Sequence, residues 1–259
     1  MARVVAIANF KGGTGKSTTA VNLGAALAEL GHRILLIDLD PQASATAWLG
    51  ARDDDGLSLF NAFVSPDGAL LPLIRSTPVQ GLDLVATGKQ FLRAERELLS
   101  LPGHQSLLKG LVQQLPLRWD FVLLDCPPFP GTVTANAFGA ADEVLAPVEA
   151  SGMALDALAE LQTNVQFVRR GLNPRLHISA VLPCRVRRTT RLGQDALAFL
   201  GEHYPHLLLG IAIRESVKVA ECWGHALPVT AYAPRSPAAD DYRQAAVRFA
   251  AREVTHVAA

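Results

Sequence analysis

The run RVVAIANF, residues 3–10, passes straight into KGGTGKST, residues 11–18, and this junction limits the fold more than any other part of the chain. A short apolar run rich in β-branched side chains reads as a strand buried on both faces. Gly12, Gly13 and Gly15 then allow a tight turn whose N–H groups converge on one point. KSTTAVNLGAALAEL has helical periodicity, and RILLIDLD reads as a second buried strand. Strand, loop, helix and strand within about 38 residues form a βαβ unit.

Such a turn is also a cradle for phosphate. Gly12, Gly13, Thr14, Gly15, Lys16, Ser17 and Thr18 are the candidate cradle, with the positive end of a helix behind it. Lys16 is placed to neutralise β- and γ-phosphate charge, and the Ser17 hydroxyl to ligate magnesium. The fit to GxxxxGK[ST] is relaxed at one place, because Phe10 stands where that motif has its first glycine. Lys11 has no duty in this scheme.

The rhythm continues through the chain. LDLVATG, WDFVLLDCPP, ADEVLAPVE, LHISAVLP and LLLGIAI read as further strands. FLRAERELL, SLLKGLVQQL, residues 154–170, residues 189–202, ESVKVAECWG and residues 237–255 read as helices, while residues 51–81 suggest short helices and loops. With no linker or repeat, residues 1–259 are expected to form one α/β domain, a mostly parallel sheet with helices on both faces.

Composition narrows the function. Twenty-four basic and 24 acidic side chains leave no net charge, so any polyanion must be met by a local patch. Nineteen of the basic residues are arginine, and Arg169, Arg170, Arg175, Arg185, Arg187, Arg188 and Arg191 lie between Val165 and Gln194 with no acid among them. The dense part, RVRRTTR, is a candidate phosphate-backbone surface, although a solvated loop explains it nearly as well. Cys126, Cys184 and Cys222 lack metal or disulfide spacing, which suits a reducing interior. The first apolar run is too short for a signal peptide, and no run reaches the length of a membrane span.

KGGTGKST with Lys11 after Phe10, LLIDLDPQASAT at 35–46, FVLLDCPP at 121–128 and AIRESVKVAECWGHALPVTAYAP at 212–234 together resemble the ParA/MinD family of deviant Walker A ATPases, partition (Soj-type) members above all. The resemblance covers essentially the whole chain. It implies a P-loop NTPase-like fold and ATP with Mg²⁺ as cofactors. It makes Lys11 a signature lysine that reaches the partner's nucleotide across an ATP-bound homodimer. Asp40 would orient the attacking water, with Pro41 and Gln42 opening switch I, and Asp38 would be structural. Asp125 would hold magnesium through water, with Pro127 and Pro128 stiffening switch II.

Arg214 matches a position close to the nucleotide. Lys218 matches a basic position that contacts non-specific double-stranded DNA, joined here by Arg185, Arg187, Arg188 and Arg191. The departure at PCRVRRTT removes the Asp or Asn that many relatives carry near Val186. The resemblance further implies slow hydrolysis stimulated by a ParB-like or small centromere-binding protein, and a cytoplasmic protein on the nucleoid. No helix-turn-helix domain is expected before the loop. Four other readings compete, one of them a purely structural scaffold whose ATP site has decayed, against which the intact Lys11, Lys16, Ser17, Asp40 and Asp125 argue. A MinD-like membrane ATPase would need a more apolar C-terminal tail. An iron–sulfur reductase would need a second cysteine to partner Cys126, and a bacterial tyrosine kinase a tail with more tyrosine than Tyr242.

Overall fold

β1 (Arg3–Ile7) leads through the glycine loop into α1 (Lys16–Glu29) and back along β2 (Ile34–Asp38) in the computed structural model, which describes residues 2–51, 58–149, 154–187 and 189–252. The short helices α2 (Ser44–Trp48) and α3 (Leu59–Val64) are followed by β3 (Ile74–Ser76) and β4 (Leu82–Val85). Then come α4 (Ala94–Glu97), α5 (Leu107–Gln113), β5 (Phe121–Asp125), α6 (Thr132–Ala140) and β6 (Glu143–Glu149). α7 (Ala154–Gly171) returns the chain to β7 (Ile178–Cys184). The helices α8 (Arg191–His203), α9 (Val217–Trp223), α10 (Val229–Tyr232) and α11 (Pro237–Ala250) complete the described chain.

The seven strands form one sheet in the order β3-β4-β2-β5-β1-β6-β7. All pairings are parallel except the antiparallel edge pair β3–β4. Alternation along the strands feeds two cores. Val4, Ala6, Leu35, Ile37, Val122 and Leu124 pack with α3, α5, α6 and α7. Val5, Ile7, Ile34, Leu36, Leu123 and Leu145 pack with α1, α2 and α11. This is the P-loop NTPase-like architecture, with helices on both faces of a mostly parallel sheet. Register brings Ile7 and Asp38 each opposite Asp125, so three central strands end together at one edge.

Four elements differ from expectation, the first being β3, an edge strand where residues 51–81 suggested only short helices and loops. The sequence pattern concealed α6, because it is buried nearly all round and shows no polar stripe. Residues 89–100 form two 3₁₀ turns flanking α4 in place of one amphipathic helix. LLLGIAI is not a strand. It meets β7 at one isolated bridge, Val181 to Leu208, and by Ile213 N donating to Pro183 O at 2.8 Å, and a second bridge, Val186 to Arg214, lies just past both segments. Gly210, at φ 75°, turns the backbone out of the ladder between them, and Pro183 has no N–H to offer.

The last helix ends at Ala250 within the described residues and inserts Tyr242, Ala245, Ala246 and Phe249 into the core beside α1. Burial of that face explains its amphipathicity without a membrane. No helix among the described residues is long and apolar enough to cross one. Phe249 is completely buried, so Phe249→Ala is expected to cost about 3–5 kcal/mol. Urea unfolding followed by far-UV circular dichroism measures it, and a loss below about 1 kcal/mol would contradict this packing.

Candidate nucleotide site

The glycine loop turns where only glycine is comfortable: Gly13 has φ 76° and Gly15 φ 90°. Gly15 caps α1, and its carbonyl already accepts from Thr19 N at 2.8 Å. The N–H groups ahead of Thr19 have no earlier helical carbonyl, so they and the helix dipole are left for an anion. Buried Asn9 pins the loop by donating to Pro147 O at 2.8 Å and accepting from Lys11 N at 2.9 Å. Buried Lys16 donates to Lys11 O at 3.3 Å. Burial lowers its pKa, and Asp125 and Asp40 pull the other way. Phosphate oxygens would give this desolvated ammonium a stronger partner than a carbonyl.

The two lysines of the loop face different ways. Gly12, Gly13, Gly15, Lys16, Ser17 and Thr18 line a cleft of about 900 Å³, and Lys11 does not. The Lys11 ammonium lies 3.6 Å from Glu149, at the end of β6. Thr14 is buried beneath the loop, its hydroxyl 3.4 Å from Lys11 O.

Three aspartates gather where β2 and β5 end, and each has a different environment. Asp38 is fully buried and saturated: it accepts from Asp40 N at 3.1 Å, Thr46 N at 2.8 Å and Thr46 Oγ1 at 2.7 Å. Burial nevertheless pushes its pKa up to about 6. Asp40 reaches the cleft, with one oxygen accepting from Gln42 N at 2.9 Å. The chain turns sharply just beyond, where Ala43 adopts φ 55°. Asp125 is as buried as Asp38, yet neither of its oxygens makes a hydrogen bond of ordinary geometry among the described residues, the Ser17 hydroxyl alone lying close enough to interact. Its pKa is raised well above the usual range, first by burial and then by the Asp38 charge, while Ser17 and Lys16 pull it down.

An orphaned buried carboxylate beside a serine hydroxyl fits a hard divalent cation. Among the described residues no cluster of three or more His, Cys, Asp or Glu side chains could hold a metal alone. A cation here would therefore draw most ligands from phosphate and water, as magnesium does.

Comparison with known proteins agrees with this geometry. The AAA domain profile matches residues 2–178. The sporulation initiation inhibitor protein Soj of Bacillus subtilis is 35% identical over 251 residues, covering 97% of this chain and 99% of its own. The chromosome-partitioning ATPase Soj of Thermus thermophilus is 37% identical over 254 residues, with 96% of each chain covered. Among solved structures, a cobyrinic acid a,c-diamide synthase from Mycobacterium smegmatis with bound ADP and magnesium superposes with a TM-score of 0.81. It is 30% identical and covers 95% of this chain and 93% of its own. The chain belongs to the ParA/Soj/MinD family of P-loop ATPases, partition type.

In this ParA-like chain the far wall of the cleft comes from the ends of β7 and α9. Arg185, Arg187 and Arg214 line it with Trp48 and Trp223. Arg214 is clamped by Asp241, with Nε to Oδ2 at 2.7 Å and Nη2 to Oδ1 at 2.8 Å. Arg185 takes the left-handed φ of 55° and lies 3.4 Å from Glu149 and 3.8 Å from Glu215. Arg187 pairs with Glu215 as well. Lys11, Glu149, Arg185, Glu215 and Arg187 thus alternate in sign along the cleft mouth. Glu149 and Glu215 carried no sequence signal, because only folding brings them to these arginines.

The arginine-rich segment is not one surface. Arg169, Arg170 and Arg175 precede β7, and Arg185 and Arg187 follow it, at opposite ends of a seven-residue strand. That separates them by roughly 23 Å. Arg188 lies outside the described residues. The Arg191 side chain is 95% exposed, with Asp195 at 4.0 Å. Lys218, in the first turn of α9, pairs with Glu221 at 2.8 Å and lies near the Tyr232 ring.

The polar core under the aspartates is stringent. Thr46 Oγ1 donates to Asp38 and also accepts from Thr87 N at 3.0 Å. Thr46→Val keeps the shape, takes one of three hydrogen bonds from Asp38 and strands the Thr87 N–H, so a loss of about 1–3 kcal/mol is expected. Thermal unfolding measures it, and a variant as stable as the parent would show that the pair is dispensable.

Proposed function

We propose that this chain is an ATP- and Mg²⁺-dependent dimerising switch that binds double-stranded DNA without sequence preference and drives partitioning of a chromosome or plasmid. Residues 1–259 would act as one ATPase domain, in the cytoplasm on the nucleoid. The observation that carries the reading is the divergence of the two loop lysines: Lys16 is buried in its own cleft, whereas Lys11 points to the rim at Glu149. In this reading a cation outside its own site would meet the phosphates of a second copy's nucleotide. The chromosome-partitioning ATPase Soj of Thermus thermophilus supports the partition role by name.

In this reading residues 12–18 hold the phosphates, Ser17 and Asp125 hold the metal, and Arg214 closes the nucleotide side. The metal would neutralise charge developing on the transferred phosphoryl group. Phosphoryl transfer needs mainly positioning and charge stabilisation. Asp40, at the cleft and hydrogen-bonded to the backbone of its own turn, would orient the water. A ParB-like or small centromere-binding partner would accelerate this step and dissolve the dimer.

Lys11→Ala is expected to bind nucleotide normally and to stay monomeric with a slowly hydrolysed ATP analogue, whereas Lys16→Ala loses nucleotide affinity by about tenfold or more. Sedimentation velocity and fluorescent-nucleotide titration separate the two; a normal Lys11→Ala dimer would sink the assignment.

DNA would meet Arg185, Arg187, Arg188, Arg191 and Lys218. Each phosphate that these cations neutralise would release counterions, so binding should weaken steeply with salt, while the acidic partners of Arg185, Arg187, Arg191 and Lys218 compete with phosphate. Lys218→Ala should reduce the slope of log K against log salt by about 1, uniformly across sequences. Equal DNA affinity with ATP and ADP, together with an unchanged slope, would overturn the DNA role.

A further inference from the structure

Switch II is a strut between two posts. Its first post is β5, where Cys126 N donates to Ile7 O at 3.2 Å directly after Asp125. Its second is the start of α6. Between them runs CPPFPG, residues 126–131, half of it proline. Proline fixes φ and offers no N–H, so this segment is stiff and makes few bonds of its own. Buried Pro127 and cleft-lining Pro128 therefore sit wherever the two posts put them.

The second post is set by a residue outside the nucleotide motifs. Glu95, on α4, turns its carboxylate onto the first turn of α6, accepting from Thr132 N at 2.7 Å through Oε2 and from Val133 N at 3.1 Å through Oε1. These are two of the N–H groups a helix start leaves unpaired, and a negative charge there also suits the helix dipole. Glu95 is itself held, because its neighbours Ala94 and Leu98 are fully buried. The approach is close: a Cβ on Gly131 would come within 2.4 Å of Glu95 Oε2. Thr134 Oγ1 donates to Phe129 O at 2.8 Å and closes the turn between strut and helix.

We propose that Glu95 is a positioning residue for hydrolysis, clamping the start of α6 so that switch II holds Pro128 and the backbone after Asp125 in place at the cleft. It acts through α6 and touches no reacting atom. The inference rests on the ATPase reading above.

Glu95→Ala is expected to slow single-turnover hydrolysis of preloaded Mg-ATP by on the order of ten- to a hundredfold, while nucleotide affinity stays within about twofold. In the nucleotide-free protein, amide exchange at Thr132 and Val133 should accelerate. Glu95→Gln retains one carbonyl oxygen and should restore part of both properties. Gly131→Ala should evict the carboxylate and reproduce the Glu95→Ala behaviour.

Asn173→Ala is the comparison for stability alone. It removes the side chain that donates to Phe138 O and Ala141 O at the other end of α6. It should lower the melting temperature yet hydrolyse at the parent rate. The inference is overturned if Glu95→Ala hydrolyses normally, or if Asn173→Ala loses as much rate at the same loss of melting temperature. Should Glu95→Ala not fold, accelerated exchange at Thr132 and Val133 with a parent-like rate in Glu95→Gln would overturn it equally. A parent chain that binds ATP without hydrolysing it sinks the ATPase reading and this inference together. A hydrolysing parent with an indifferent Glu95→Ala sinks this inference alone.

Discussion

Two carboxylates, Asp38 and Asp125, lie opposite one another on adjacent parallel strands, both fully buried at the edge of the sheet. Burying a carboxylate is costly unless it is hydrogen-bonded or paired. The protein answers that cost in two ways. Asp38 is saturated by Thr46 and the backbone of Asp40, and so ties the turn after β2 to the sheet. Asp125 has no such backbone donors among the described residues, and only the Ser17 hydroxyl and the Lys16 cation offset its burial. A group kept buried and so weakly satisfied is a poor structural element and a good ligand for something that arrives from outside.

The rest of the site can be understood as support for that pair. β1 ends beside β5 and launches the glycine loop, and Asn9 stitches the loop to the end of β6. α1 lies against the sheet with nearly every residue from Thr19 to Leu27 buried, so Lys16 is delivered from a rigid base. The Glu95 clamp performs the same service for the chain leaving β5. Rigid elements thus surround the orphan carboxylate on all three sides from which the chain approaches it. The arginine and glutamate chain at the mouth is the adjustable part, built from exposed ion pairs that exchange partners at little cost.

The sequence pattern was legible where one physical rule acts alone. Buried parallel strands write themselves as apolar runs, and the loop needs glycine at Gly13 and Gly15 because φ is positive there. It was illegible where two rules compete. α6 is buried all round and loses the stripe that marks a helix. LLLGIAI has the composition of a strand, but Gly210 and Pro183 break its ladder. The arginine-rich segment looked continuous until β7 carried its two halves to opposite ends of the sheet.

The fold class, the phosphate loop and the family could be read from the chain alone, because short contiguous motifs carry each of them. Only the tertiary structure decided which acids sit against which bases. Glu149 and Glu215 come to Arg185 and Arg187 from separate segments, Asp241 clamps Arg214, and Glu95 reaches Thr132 across 37 positions. A carboxylate's role is set by what surrounds it in three dimensions. Local sequence cannot distinguish a saturated Asp38 from an unsatisfied Asp125, because the groups that make the difference arrive from other parts of the fold.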